Sequence, residues 1–196
     1  APGIEVPSRA ALAAISIWRN EAITGLLVRS SWHEMFQRVY TGAKLPLYFV
    51  LTKLWTYVFG SGVFSLRSFS VLFGVLTIYI GFVFIKQAFT DSESVPSGRQ
   101  EKLALIVALL LAINPYLIQT SQEAQGYAFA TFLALVSSYL LFRALVRPIW
   151  SNWAYYALAI TACLYTYYPL FIIIAIQGLY LLYQLVLKQQ ISWRLK

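Results

Sequence analysis

The sequence predicts an all-α membrane protein with about five membrane-embedded helices, preceded by two extracytoplasmic juxtamembrane surface helices. Hydrophobic residues make up 60% of the 196-residue chain and charged residues only 11%, against roughly 25% charged in soluble domains. The apolar residues form long runs near the length of about 20 residues that a membrane-spanning helix needs. Lipid offers the backbone no hydrogen bonds, and the chain lacks the alternating strands of a barrel, so these runs are predicted to be helices.

Five runs are long enough to cross or nearly cross a bilayer. The last two are short and separated by little more than Pro169, which predicts a tight helical hairpin, with a re-entrant pair as the alternative. The five predicted segments are Val63–Phe89, Leu103–Ile118, Tyr127–Leu145, Trp153–Tyr168 and Leu170–Leu187.

The distribution of basic residues predicts the orientation of these helices. Alternate connections carry several Lys and Arg residues or none, and the basic ones are expected in the cytoplasm. This topology also explains the net charge of +8 without any nucleic-acid partner. The basic connections are Lys86–Lys102, Arg143–Arg147 and Lys188–Lys196, and those without Lys or Arg are Gln119–Gly126 and Thr166–Pro169.

Two regions follow from this topology: an extracytoplasmic juxtamembrane region over residues 1–62 and a partial transmembrane bundle over residues 63–196. Residues 10–36 mix apolar and charged positions, which favours one or two amphipathic helices on the membrane surface. Pro46 then starts a segment over Leu47–Phe59 that is too short to span and is closed by Gly60-Ser61-Gly62. The alternative is an irregular spanning helix, which would reverse the orientation.

The chain is expected to be a segment of a longer protein. It opens on Ala1-Pro2-Gly3 without an initiator Met and shows no signal-peptide pattern. The predicted outside location of residue 1 also requires a preceding helix that leads out of the cytoplasm.

Short polar signatures lie at the edges of the apolar runs. Among them, Glu123 is an ionisable group near a bilayer boundary, and such groups are costly unless they face water or a partner. Arg67 lies a few residues into an apolar run, where a guanidinium can bind phosphate oxygens in a fork or simply snorkel to the interface. The signatures are Arg19–Ala22, Leu45–Phe49, Phe59-Gly60 with Arg67 and Ser70, Ser121–Tyr127, and Thr166–Tyr168.

In order and spacing, these signatures resemble those of the C-type membrane glycosyltransferases, in the branch of protein O-mannosyltransferases and lipid A aminoarabinose transferase. The resemblance runs from about Trp18 to the end of the chain. It implies a bacterial plasma-membrane enzyme whose active site faces outside. Its donor would be a polyprenyl-phosphate-linked sugar, and its acceptor a glycan, lipid or protein.

The resemblance also carries roles to individual residues. An outer-loop carboxylate of the family deprotonates the acceptor or coordinates a metal, which implies Glu21, Asn20 and Glu123 as catalytic positions. Asn20 stands at the family's Asp position, and a carboxamide cannot hold the proton, so either Glu21 takes this role or the enzyme is impaired. The implied substrate-binding residues are Arg67, Lys44, Tyr48, Gln125, Tyr127 and Tyr167.

Several departures and alternatives stay open at this point. Lys44 and Tyr167 stand where the family often has His, and Gln125 where it often has Arg. No cofactor or metal site is assigned, although a divalent cation is an open option. Glu21 could be a solvated charge, and the tyrosines could form an aromatic belt. The competing functions are a degenerate, non-catalytic binder of lipid phosphates and a transporter segment.

We expect Asn20, Glu21, Lys44, Arg67, Glu123 and Tyr127 to line one cavity at the outer ends of their helices. A phosphate headgroup needs cations and an acceptor needs a base within the same few ångströms. Lys53 could likewise attract an anionic headgroup.

Overall fold

The computed structural model describes residues 21–90 and 97–194, and these residues form helices and the turns between them. Asn20, the predicted catalytic carboxamide, lies outside the described residues. In chain order the helices are α1 (which includes residues 21–29), α2 (Trp32–Thr41), α3 (Pro46–Phe59), α4 (Val63–Thr90), α5 (Ser97–Ala112), α6 (Pro115–Gln122), α7 (Tyr127–Val146), α8 (Trp150–Leu164) and α9 (Leu170–Arg194).

The short helices α2 and α3 have sequence-encoded ends. Ser31 and Glu34 form a capping box at the start of α2, because each side chain accepts a hydrogen bond of 3.2 Å from the other residue's backbone N–H. Pro46 occupies the first turn of α3, and Gly60 ends it with a φ of +81°, a value that favours glycine. The predicted helix over residues 47–59 is thus confirmed, while its place on a membrane surface stays a prediction.

Lys53 ties α3 to the end of α1. Its ammonium donates to the backbone carbonyls of Val28 and Ser30 and lies 5.0 Å from the centroid of the Trp32 ring. Only 4% of Lys53 is exposed, so it caps α1 instead of reaching a lipid headgroup. The expectation that it attracts a headgroup was wrong, because its ammonium donates hydrogen bonds to the carbonyls at the end of α1.

Two helices of the described ranges are long and apolar enough to span a membrane: 27 residues of α4 and 20 residues of α7. A third span results if α5 and α6 are taken together. These two helices meet at Asn114-Pro115 with a bend of 55°. The described residues therefore support two or three spans, and the finer prediction of about five embedded helices stays open.

The bend divides the predicted apolar segment Leu103–Ile118 between two helices, α5 and α6. Pro115 lacks a backbone N–H and opens a new helix, α6. The Asn114 side chain caps that helix by accepting from the backbone N–H groups of Tyr116 (2.9 Å) and Leu117 (3.3 Å). The predicted segment Trp153–Tyr168 is also shifted, since α8 begins at Trp150 and ends at Leu164.

Helix α4 is the centre of the packing and contacts α3, α5, α6 and α7. Gly74 allows α6 to approach closely, because a Cβ at this position would lie 2.1 Å from Ser121 Oγ. Phe69 and Phe73 of α4 pack with Phe129 of α7, and the Phe73 and Phe129 ring centroids are 4.6 Å apart. This packing brings the α6–α7 turn against the N-terminal half of α4.

Neutral polar groups join the helices deeper in the bundle. Gln177 of α9 donates to the hydroxyls of Ser137 and Ser138 of α7, both at 3.1 Å. Its carbonyl oxygen accepts from the Tyr156 hydroxyl of α8 at 3.1 Å. Gln177 is 6% exposed and Ser137 is fully buried, so this network links three helices through satisfied hydrogen bonds.

Candidate functional site

A cavity of about 240 Å³ lies where four segments of the chain meet. Thr24 of α1 forms one wall, and the start of α3, the α6–α7 turn and the α8–α9 connection form the others. The α3 end of this arrangement is fixed by a 3.0 Å hydrogen bond from the Leu47 backbone N–H to the Tyr165 carbonyl. Five of the predicted substrate-binding residues line the cavity, which we call the aromatic pocket: Lys44, Tyr48, Gln125, Tyr127 and Tyr167.

Gly126 shapes the floor of the aromatic pocket. A Cβ at this position would lie 3.2 Å from Cγ of the Tyr48 ring, which is closer than most carbon contacts. The glycine therefore lets the α6–α7 turn pack flat on Tyr48. A 2.8 Å hydrogen bond from the Gln125 backbone N–H to the Glu123 carbonyl closes the same turn.

Aromatic side chains and one cation surround the cavity. The rings of Tyr127 and Tyr167 meet edge to face, with centroids 5.4 Å apart and planes at 80°. Burial raises the pKa of the Tyr167 phenol, and the neighbouring Tyr127 adds to the rise. The Lys44 ammonium lies 5.6 Å from the centroid of Phe49. The lining combines ring faces with a positive charge.

The Tyr48 hydroxyl is a buried polar group without a hydrogen-bond partner among the described residues. Only 3% of Tyr48 is exposed, and burial raises the pKa of its phenol well above the usual value. The nearby hydroxyls of Thr52 and Ser70 lower the pKa only partly, because burial has the larger effect and the charge of Glu21 adds to the rise. Tyr48 therefore stays protonated at neutral pH.

Glu21 and Arg67 form a bidentate ion pair beside the pocket. Arg67 Nε donates to Glu21 Oε1 at 3.1 Å, and its Nη2 donates to Oε2 at 2.8 Å. The Ala124 backbone N–H donates a third hydrogen bond to Glu21 Oε1 at 2.9 Å. The carboxylate thus ties α1, α4 and the α6–α7 turn together, and we call this arrangement the carboxylate latch.

The latch makes Glu21 a weak base. Burial alone would raise the pKa of its carboxyl group, but the hydrogen bonds from Arg67 and Ala124 and the charge of Arg67 outweigh burial. The pKa therefore lies below its usual value, which disfavours accepting a proton from an acceptor hydroxyl. Arg67 keeps three of its five N–H donors unused by the latch, and 43% of its side chain is exposed.

Glu123 is less engaged than Glu21. One carboxylate oxygen accepts a 3.2 Å hydrogen bond from the Gln119 amide, and the residue is partly exposed. It is adjacent in sequence to Ala124, which contacts Glu21, so both carboxylates belong to the same end of the bundle. However, Glu21, Arg67 and Glu123 are not among the residues that line the aromatic pocket. The predicted single cavity is instead a pocket with the latch beside it.

The described residues do not fit a divalent cation at this site. No group of three His, Cys, Asp or Glu side chains comes together in residues 21–90 and 97–194. Both oxygens of Glu21 already accept hydrogen bonds, and the adjacent guanidinium is positive. The roles at this site are therefore assigned to the side chains of this chain.

Sequence reasoning missed two groups at the site: Thr24 lines the pocket, and the Ala124 backbone N–H completes the latch. Thr166 and Tyr168 also line the pocket; they belong to a predicted signature but were given no role. A backbone donor leaves no trace in the residue type, so no motif could have revealed it. Gly126 was within reach, because a glycine between polar residues and the apolar run of α7 marks a turn.

Comparison with known proteins gives no match to a protein-family model, to a curated protein or to a solved structure. The resemblance to the C-type membrane glycosyltransferases accordingly stays a prediction from the signatures.

Proposed function

We propose that this protein transfers a sugar from a polyprenyl phosphate to an acceptor on the extracytoplasmic side of a membrane. One observation carries the proposal: residues singled out by separate signatures converge on one aromatic pocket. Lys44 and Tyr48, Gln125 and Tyr127, and Tyr167 come from segments far apart in sequence. Convergence of this kind is expected of a binding site and not of tyrosines scattered around an aromatic belt.

The lining of the pocket suits a sugar with an attached phosphate. Its volume of about 240 Å³ lies just below the range of about 300–1,000 Å³ for drug-sized ligands, which favours a headgroup over a whole lipid. Tyr127 and Tyr167 offer ring faces to a sugar, and Gln125 offers amide hydrogen bonds. Lys44 supplies a positive charge for the phosphate.

The two carboxylates take different roles in this proposal. Glu21 is a positioning residue, because it holds the Arg67 guanidinium with one edge left free for phosphate oxygens. Glu123 is the carboxylate that can accept a proton, because only one amide donor engages it. Deprotonation of the acceptor hydroxyl by a positioned base contributes typically about 10²–10⁴-fold in rate.

A transfer assay on the intact protein tests this assignment. We expect Glu123→Gln to lower kcat by about 100-fold or more, and Glu21→Gln to act mainly on the KM for the polyprenyl-phosphate donor. Glu101→Gln, which alters an exposed glutamate of α5, is the matched control. Full activity in both Glu123→Gln and Glu21→Gln would refute carboxylate chemistry at this site.

One observation favours a second candidate, a relative that binds lipid phosphates without turnover. Glu21 is fully occupied by the latch, and its lowered pKa makes it a poor base. Asn20→Asp distinguishes the two functions. Donor binding without transfer in the natural chain, together with transfer in Asn20→Asp, would establish the non-catalytic function.

A further inference from the structure

A second cavity lies between α1 and the end of α2. It encloses about 360 Å³, and its walls are Ile23, Leu26 and Leu27 of α1. Its rim carries two cations, Arg38 and Lys44. Leu26 is 61% exposed, so an apolar surface and two charges face the same open groove, which we call the α1–α2 groove.

The two cations of the groove have no ion-pair partner within the described ranges. Glu34 of α2 is engaged in the capping box with Ser31, and Glu21 of α1 is held by Arg67. Both Arg38 and Lys44 are exposed. Their charge is therefore available to an anion from outside the chain.

We propose that the α1–α2 groove binds an anionic membrane lipid. The phosphate lies between Arg38 and Lys44, and an acyl chain covers the exposed Leu26 and the half-buried Ile23. Exposed leucine beside uncompensated cations is the pattern by which surface helices bind anionic lipids, through apolar contact and electrostatic attraction together. A neutral lipid or an apolar peptide would cover the exposed apolar surface of the groove but would leave the charges of Arg38 and Lys44 uncompensated.

The position of Lys44 gives this lipid a functional consequence. Lys44 lines the α1–α2 groove and also the aromatic pocket, so the bound phosphate lies at the entrance of the pocket. Lipid binding in the groove does not depend on sugar transfer. The proposal therefore goes beyond the proposed function and can hold where that function fails.

Photo-crosslinking tests the groove directly. The purified chain in nanodiscs of neutral lipid is irradiated with phosphatidic acid that carries a diazirine in its acyl chain, and cross-links are mapped by mass spectrometry. We expect labelling within residues 23–44. Each of Arg38→Gln and Lys44→Gln should lower it about fivefold, because a cation near an anionic lipid contributes about this factor.

Two controls separate headgroup recognition from simple contact. Arg147→Gln removes an equal charge from an exposed position at the end of α7 and should leave the labelling unchanged. A diacylglycerol probe with the same chains and no phosphate loses the attraction of both cations and should label the groove about 25-fold less. The proposal would be overturned if the diacylglycerol probe labelled the groove as strongly as phosphatidic acid. It would also be overturned if neither Arg38→Gln nor Lys44→Gln lowered the labelling.

Circular dichroism of each variant verifies that the helices are retained. If the natural protein is labelled in the groove but shows no transfer activity, the result counts against the proposed function alone. Transfer activity with no labelling in residues 23–44 would count against the groove alone.

Discussion

Two polar assemblies of this protein use opposite chemistry. The carboxylate latch at the end of the bundle is built from full charges, Glu21 and Arg67, with one backbone donor from Ala124. The network between α7, α8 and α9 is neutral and centres on the Gln177 amide. Arg67 is partly exposed, whereas Gln177 is buried.

The difference follows from the cost of charge in a low-dielectric surrounding. An ion pair taken fully out of water loses hydration that its own attraction repays only with excellent geometry. At the end of the bundle, the Arg67 side chain is partly exposed, so the ion pair is not taken fully out of contact with solvent. Inside the bundle, amide and hydroxyl groups give the helices specific partners without that cost. The charged pair thus lies where one partner is accessible, and the neutral network lies where its members are buried.

The first prediction tests whether the charged end faces outside, and its expected effect is all or none. Cysteine is placed at Gln122, which is exposed beside the latch, or at Gly98, where a side chain meets open space. The buried Cys163 is first replaced by Ala. In intact cells, a membrane-impermeant maleimide should label Gln122→Cys and not Gly98→Cys. The reverse labelling would place the latch and the aromatic pocket in the cytoplasm.

The second prediction concerns the strength of the latch. Arg67→Ala leaves Glu21 with one hydrogen bond, from Ala124, and should lower the free energy of unfolding by about 1–3 kcal/mol. Arg67→Lys should recover only part of this loss, because an ammonium cannot donate as a two-pronged fork. Thermal unfolding in detergent measures both variants, with Arg147→Ala as the control. Equal stability of Arg67→Lys and the natural chain would contradict the bidentate pair.

The third prediction measures the neutral network. Gln177→Leu removes three hydrogen bonds. The hydroxyls of Ser137 and Ser138 keep theirs to the Ala134 carbonyl, whereas the Tyr156 hydroxyl loses its bond to Gln177. We expect a loss of about 0.5–1.5 kcal/mol, in the range of polar contacts between membrane helices. The same unfolding assay applies, with Gln184→Leu at an exposed hydrogen bond as the control. A loss larger than that of Arg67→Ala would reverse the comparison of the two assemblies.

The fourth prediction is the pH dependence of the latch. Because the folded-state pKa of Glu21 is lowered, the latch contributes its full stability above the unfolded-state pKa, about 4.3. This contribution is lost as pH falls through the lower folded-state value. The natural chain should therefore lose more stability than Glu21→Gln between pH 6 and the acid limit of the assay. Parallel pH profiles of the two proteins would show that Glu21 is not stabilised by the latch.

Local rules predicted the short helices well. Pro46 and Gly60 fix the ends of α3 because both act through their own backbone geometry. Asn114 and Pro115 mark a break in the same local way, but the 55° angle between α5 and α6 depends on how the helices pack and is not given by the apolar run. Mean hydropathy is taken over a long window and stays high across the break, whereas Pro115 and its capping residue Asn114 end one helix and begin the next at a single peptide.

The sequence predicted which residues belong to the site, but not which of them form an ion pair. Motif order identified five of the pocket residues, since each lies at the end of a helix. The partnership of Glu21 with Arg67 spans 46 positions and depends on how α1 crosses α4. Lys53 is a second example of a contact that the sequence does not predict. Its ammonium lies inside the protein and donates to a carbonyl at the end of α1.

The bend at Asn114-Pro115 shortens the distance that α5 and α6 cover together. Gly98–Ala112 rises about 22 Å, and α6 inclined by 55° adds about 7 Å, which together equal a hydrocarbon core of about 30 Å. A straight helix of the same length would be about 5 Å longer. Taken as one span, α5 and α6 therefore match a hydrocarbon core of ordinary thickness because the Asn-Pro step shortens them, and a thicker or thinner bilayer would impose a cost of mismatch on this span.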